Sequence, residues 1–298
     1  MSLSQEVILS MKSVFYTGDG FVPVDSGIPN VGRIFAVEPD GALLWYDYVG
    51  HGADDLKSWA PNSGNQIGHG WESSKHLAGG GNGMVLAVGP DGILRWYGYD
   101  GAGEKDPSGI KGWSANSGNE IGHGWGNFRN VFTIPRTGHV SPPPAITIYA
   151  VDANGDLHWY SYHGAGEKDP SGTKGWHPNS GNIVGNGWEG FQRIAGVGDV
   201  IFAVGRDGSL RWYGYNGNGA ADRTGWLPNS GNEIGHGWQQ FKHVVGGLTD
   251  HTGFGHVLYA VTLNGDMHWY RYNGNGEKDP SGTVGWDPNS SHRIGEGW

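Results

Sequence analysis

Cysteine is absent from the 298-residue chain, which removes disulfide frameworks and thiolate chemistry. That absence leaves the compartment open, because a repeat fold of this size needs no covalent staples. Basic residues are scarce: 19 Lys and Arg face 29 Asp and Glu, a formal charge of −10. Such a surface disfavours phosphate backbones and anionic lipids, so nucleic acid is not an expected partner. No apolar run is long enough to cross a bilayer, and the opening MSLSQEVILSMKSVF lacks both a basic stretch ahead of an apolar run and a small-residue cleavage site. The expectation is a chain without membrane insertion, cytoplasmic or released by a non-classical route. Metal ligands are poorly supplied too. The 14 His include no HExxH pair. His158 and His268 alternate with Leu44, Arg95 and Arg211 at one strand position, and DANGD at 152–156 is followed by Leu157 where a calcium loop needs glycine. Neither metal nor cofactor is expected.

Glycine (57 residues) and tryptophan (15) are abundant. With helix formers sparse, this suits short strands joined by tight turns. The tryptophans fall into three series. Trp45, Trp96, Trp159, Trp212 and Trp269 open a WY pair; Trp59, Trp113, Trp176, Trp226 and Trp286 open a glycine-rich phrase; Trp71, Trp125, Trp188, Trp238 and Trp298 close it. The phrase, GWSANSGNEIGHGW in its second copy, always separates its two tryptophans by 12 residues, whereas successive WY pairs lie 51, 63, 53 and 57 apart. The chain is therefore five copies of a unit with a rigid phrase and variable remainder.

Within each unit the period is two. Residues 148–162 (IYAVDANGDLHWYSY) are two β-rich runs around an NG turn, and 34–48, 85–99, 201–215 and 258–272 repeat the hairpin with DG or NG at the same place. A third run precedes each hairpin, as in FRNVFTI at 128–134, and the NEIG end of the phrase supplies a fourth. In ILRWYGY, Leu94, Trp96 and Gly98 face one way and Arg95, Tyr97 and Tyr99 the other, so both faces carry large rings. A sheet covered on both faces and repeated five times predicts an all-β, five-bladed β-propeller, a single domain with blades at approximately 12–71, 72–125, 126–188, 189–238 and 239–298. Naming the strands of a blade A to D, loops AB and CD share one end of the ring. AB carries insertions at 18–32, 135–145 and 246–256, which directs attention to that end.

Five WY strands, each with a long loop and an I-G-x-G-W close (IGHGW at 67–71, 121–125 and 234–238, VGNGW at 184–188, IGEGW at 294–298), resemble the tachylectin family of five-bladed propeller lectins. The resemblance runs from about Lys12 to Trp298. It implies a multivalent, non-enzymatic protein that binds N-acetylglucosamine or N-acetylgalactosamine, and glycans ending in an N-acetylhexosamine, between adjacent blades. The long loop of one blade and the connector from the previous blade would form each pocket.

Sugars are held by aromatic faces over C–H patches together with amides, hydroxyls and backbone groups. The phrase offers such groups in every unit: Trp59, Asn62, Ser63 and His69; Trp113, Asn116, Ser117 and His123; Trp176, Asn179, Ser180 and Asn186; Trp226, Asn229, Ser230 and His236; Trp286 and Asn289. The closing tryptophans are expected to be structural instead, and EKDPSG at 104–109, 167–172 and 277–282 to be a solvated turn. Unit five departs from the phrase, with Ser291, His292, Arg293 and Glu296. The loops of units two to four are accordingly expected to bind best. Residues Ser4 to Phe15 would complete the ring at the seam, where the pocket of Trp59 is expected to be weak or empty, as is that of the fifth unit.

Two other classes compete. A propeller glycoside hydrolase would need two carboxylates near the axis; the inner region offers only Asp19, Asp199 and Asp250. A protein-binding scaffold would use the AB insertions as its surface.

Overall fold

The computed structural model describes residues 11–18, 32–52, 56–134, 145–221, 223–249 and 255–298. The AB insertions fall mostly outside these residues. The first blade comprises β1 (Ser13–Gly18), β2 (Gly32–Val37), β3 (Leu43–Tyr48) and β4 (Asn65–Gly68). The second has β5 (His76–Gly81), β6 (Met84–Val88), β7 (Leu94–Gly98) and β8 (Asn119–Gly122), and the third β9 (Asn130–Ile134), β10 (Ile146–Val151), β11 (Leu157–Tyr162) and β12 (Asn182–Gly185). The fourth contains β13 (Phe191–Val197), β14 (Val200–Gly205), β15 (Leu210–Gly214) and β16 (Asn232–Gly235); the fifth β17 (Phe241–Thr249), β18 (His256–Thr262), β19 (Met267–Tyr272) and β20 (His292–Gly295). Each blade is an antiparallel sheet in chain order, and the five form a β-propeller.

Every C–D pairing slips by one residue at the same place, as between Leu94 and Arg95 in the second blade. The hairpin turns follow from their Asp and Gly residues. Asp91 Oδ1 accepts the Ile93 amide at 3.1 Å while Gly92 takes φ 74°, a region that favours glycine.

The core lies between blades rather than within one. Leu86, Val88, Leu94 and Trp96 of the second blade pack on Ile146, Ile148, Ala150 and Tyr162 of the third. Alternation delivers one side chain set to each neighbour, which is why both faces are apolar. The innermost strands approach so closely that a Cβ on Gly196 would stand 2.2 Å from the Thr133 carbonyl, and one on Gly246 would stand 2.0 Å from that of Gly196. The axial cavity they leave is about 100 Å³, lined by Val14, Ala78, Gly79, Val131, Ile194 and Val244 among others. No carboxylate lines it among the described residues. Asp19 and Asp250 lie outside those residues, and Asp199 borders a different cavity.

Ring closure uses no exchanged strand, since the first and fifth blades each own four. At the seam His243 Nε2 meets the Met11 carbonyl at 3.2 Å, as His76 meets that of Phe128 at 3.0 Å inside the ring. Of the N-terminal segment expected to complete the ring, Met11 to Phe15 is described and does border the fifth blade; the residues before it lie outside the described set.

Candidate functional site

At every blade boundary three aromatic rings meet. Trp71 closes the first phrase; Tyr97 of β7 lies 4.7 Å from it, and Trp113 stacks on it at 5.6 Å and 28°. Trp125 repeats this with Tyr160 (4.5 Å) and Trp176 (5.8 Å), Trp188 with Tyr213 (4.7 Å) and Trp226 (5.9 Å), and Trp238 with Tyr270 (4.7 Å) and Trp286 (5.8 Å). At the seam Trp298 meets Tyr46 at 4.3 Å and Trp59 at 5.5 Å. The closing tryptophans are buried, whereas the opening ones are half-buried. Each opening indole N–H donates backwards to the previous blade: Trp113 to Ile67, Trp176 to Ile121, Trp226 to Val184, Trp286 to Ile234 and Trp59 to Ile294, at 2.7 to 3.1 Å.

Over these rings the first two boundaries open into clefts of about 400 and 390 Å³. The first is bordered by His69, Trp71, Ser73 and Ser74 of the closing segment and connector, by Arg95 and Tyr97 of β7, and by Ser108, Gly109 and Trp113 of the next long loop. Its counterpart uses His123, Trp125, Phe128, Tyr160, Ser171, Gly172, Thr173 and Trp176. The phrase of one unit therefore does not form one pocket. Trp113 and Ser117 share a cleft with His69, and Trp176 and Ser180 share one with His123, each histidine coming from the preceding blade.

The other phrase residues have backbone duties. The amides of Asn62, Asn116, Asn179, Asn229 and Asn289 donate to carbonyls of Ala102, Ala165, Asn218, Asn275 and His51, tying each long loop to the next at 2.7 to 3.0 Å. Neither Asn116 nor Asn179 borders its cleft. The hydroxyls of Ser63, Ser117, Ser180, Ser230 and Ser290 each accept one amide and donate to the carbonyl of the same strand residue: Asp47, Gly98, Ser161, Gly214 or Arg271. Their donor capacity goes to β-strand C. At the seam His292 replaces the asparagine seen at 65, 119, 182 and 232, and its Nδ1 still bonds Gly52, at 2.8 Å. The departure in unit five thus preserves the clasp.

In EKDPSG the Glu, Lys, Pro and Ser are exposed in all three copies, as expected of a solvated turn, but the aspartate is not. Asp106 and Asp169 are 8% and 4% exposed. Asp106 Oδ2 accepts the amides of Ile110 and Lys111 at 2.9 and 2.7 Å, Oδ1 accepts that of Ser108 at 3.2 Å, and its own amide donates to Gln66 of β4 at 2.8 Å. Asp169 and Asp279 anchor in the same way on Glu120 and Glu233. These hydrogen bonds hold the carboxyls of Asp169 and Asp279 down to about 2. The motif lays the long loop against the preceding blade, which makes Ser108 and Gly109 the outer wall of the cleft.

Charge at the first two clefts is paired. Arg95 is bidentate to Asp91 (3.1 and 2.7 Å), and at the equivalent position His158 meets Asp152 at 3.2 Å. His69 Nδ1 lies 2.8 Å from the Pro107 carbonyl and so carries the proton, which leaves Nε2 as an acceptor. His236 Nδ1 instead meets Glu233 at 3.0 Å. Burial raises the phenol of Tyr97 and pushes that of Tyr160 up to about 12, so both remain neutral. Neither hydroxyl has a partner among the described residues. These tyrosines, with Ser108, Ser171, Thr173 and Phe128, were not among the expected contacts. The signal for the tyrosines was in the alternation of the WY pair, which turns Tyr97 to the face opposite Trp96.

The family model described as Tachylectin matches residues 36–298. No curated protein matches the chain. Among solved structures it is similar to the Aleuria aurantia lectin in complex with alpha-methyl-L-fucoside, at 16% identity and TM-score 0.48, over 95% of this chain and 78% of that one. It is also similar to the BP39L lectin of Burkholderia pseudomallei (19%, TM-score 0.40, 94% and 69%) and to yeast RCC1 (12%, TM-score 0.36, 89% and 59%).

Proposed function

The chain belongs to the tachylectin family, and from that membership we propose that it is a multivalent lectin binding neutral sugars with terminal N-acetylhexosamine in the clefts between blades. One observation carries the reading. A cleft-side histidine and an anchored Asp-Pro-Ser-Gly loop come from different blades, yet they coincide at the same boundaries. His69 faces the loop of Asp106, His123 that of Asp169, and His236 that of Asp279. Where Asn186 or Glu296 replaces the histidine, the next blade's loop lacks the motif.

Each furnished cleft combines half-buried indole and phenol faces for the C–H side of a ring, an imidazole acceptor and serine hydroxyls. Among the described residues lining the clefts of Trp113 and Trp176 no charge is left unpaired, which suits an uncharged ligand. The fully equipped sites are therefore those of Trp113, Trp176 and Trp286, a set that replaces the expected units two to four by excluding Trp226 and including the fifth loop. A glycan array tests the ligand class. Terminal N-acetylhexosamine structures should bind, and an array without signal would favour a protein-binding scaffold. Calorimetry with free N-acetylglucosamine should then give weak sites whose combined hold on a multivalent surface is ~10² to 10⁴ times tighter.

A further inference from the structure

Between the third and fourth blades a separate cleft of about 490 Å³ opens at the end of the ring that carries loops AB and CD. The first inter-blade cleft is instead bordered by the BC turn at Gly89 and Pro90, at the other end of the strands. Trp159, Tyr149 and Tyr215 form the floor of this new cleft, Thr147 and Ser161 one wall, and His177 and Asp199 part of the rim.

The five repeats explain why it is open here. The cross-strand pair over the first-series tryptophan is Arg33 and Asp47 in the first blade, Met84 and Gly98 in the second, Val200 and Gly214 in the fourth and Val257 and Arg271 in the fifth. Arg33 fills its space, with the guanidinium 5.8 Å from the Trp45 ring and 5.9 Å from that of Tyr99. Arg271 lies 5.9 Å from Trp269 and pairs with Asp287. In the fourth blade Leu227 packs so near that a Cβ on Gly214 would stand 2.6 Å from it. The third blade alone places two short hydroxyl residues there, Thr147 opposite Ser161. Both residues are buried, at 7% and 6% exposure, yet neither hydroxyl has a protein partner among the described residues. Neither oxygen is shut off from solvent, so both hydroxyls face the open cleft, where they are available to a ligand or water.

The remaining groups define the chemistry. His177 Nδ1 accepts the Asn179 amide at 3.1 Å, so Nε2 carries the proton and donates. Asn216 and Asn218 border the same space, and among the described residues neither Lys nor Arg does. Among the described residues the carboxylate of Asp199 is the single charge, which repels anions. We propose that this cleft is a second, unrepeated binding site for a neutral polyhydroxylated ring, a monosaccharide or the end of a short oligosaccharide, bound through the hydroxyls of Thr147 and Ser161 and the imidazole of His177. Its size suits one such ring or two.

Free glucose, galactose, mannose and fucose are the probes, soaked singly into crystals of the whole chain and titrated by ligand-observed NMR. At least one should occupy this cleft in hydrogen-bond contact with Thr147 or Ser161. Two double variants follow. Thr147→Arg with Ser161→Asp transplants the first blade's filler and should abolish binding here; Thr147→Val with Ser161→Ala keeps the space and should weaken binding by about tenfold or more, the loss of hydrogen bonds to two hydroxyls. Unchanged retention on N-acetylglucosamine resin and an unchanged near-ultraviolet circular dichroism spectrum establish that the variants are folded. The site is refuted if the cleft holds only water with every probe, or if the folded Val/Ala variant binds the probe in this cleft as the parent does. Neither result would bear on the cleft of Trp113; the cleft of Trp176 shares His177 with this one, and neither double variant alters that residue.

Discussion

The indole N–H of Trp113 donates across a blade boundary to the carbonyl of Ile67 at 2.9 Å. The same ring stacks on Trp71 and borders a cleft, so one side chain both locks two blades together and lines the site proposed for sugar. On the proposed function, fold and binding are coupled at this residue. Trp113→Ala should lower stability by ~3 kcal/mol or more as well as remove one sugar site, while Trp113→Phe should cost less in stability and retain weakened binding. Trp125→Ala, at a fully buried ring, should cost ~3 to 5 kcal/mol. Urea denaturation beside calorimetry separates the effects; loss of binding in Trp113→Ala with full stability retained would mean that the Ile67 bond contributes nothing.

Exchanging the histidine tests the pairing rule. His69→Asn should remove the first cleft's affinity and reduce the number of occupied sites by one. Asn186→His should add none, because the fourth blade's loop has no Asp-Pro-Ser-Gly wall to face it. Stoichiometry from calorimetry decides, and a new site in Asn186→His would show that the loop is dispensable.

The aspartate anchors predict a pH limit. The folded-state pKa of Asp169 lies at about 2, below the ordinary aspartate value of 3.8. Its contribution is thus fully present above the unfolded value and lost as pH falls through about 2. Binding at the second cleft should survive to well below pH 4 and then fail. Asp169→Asn should loosen the loop at neutral pH, weakening binding there without unfolding the ring, and amide hydrogen exchange at Thr173 and Lys174 should rise.

His243 makes the seam acid-sensitive. Burial, then the charges of Lys242 and Arg193, lower its pKa from 6.5 to about 4, although its bond to Met11 acts the other way. A depressed histidine pKa leaves stability intact above 6.5. As pH falls from 6.5 towards 4 the unfolded chain takes the proton first, which lowers stability by at most ~3 kcal/mol. His243→Gln should flatten this part of the denaturation midpoint against pH; an unaltered slope would assign the effect elsewhere, for example to His76 or His256, whose pKa values burial also lowers.

Local patterns in the sequence were enough for the ring. The tryptophan series, the Asp-Gly and Asn-Gly turns and the two-sided alternation of ILRWYGY each report on neighbours within a few residues, and together they determined five blades of four strands. They also marked the tryptophans as paired. The composition of the clefts was beyond their reach, because each cleft is made by two blades. Linear reading joins Trp113 to His123 of the same phrase, while packing delivers His69 from the blade before. Asn116 and Ser117 read as sugar contacts from their chemistry, yet the strand and loop they adjoin take up the amide and the hydroxyl. Asp106 reads as solvated, since nothing near it in sequence reveals that its amide lies beside Gln66. Whether the space over Trp159 is empty depends on the sizes of Thr147 and Ser161 relative to Arg33 and Asp47, a comparison that acquires meaning only once β10 and β11 set the two residues opposite each other. Sequence determined which side chains face out of each sheet; tertiary structure decided what they meet, because burial and hydrogen bonding are settled across the blade boundary rather than along the chain.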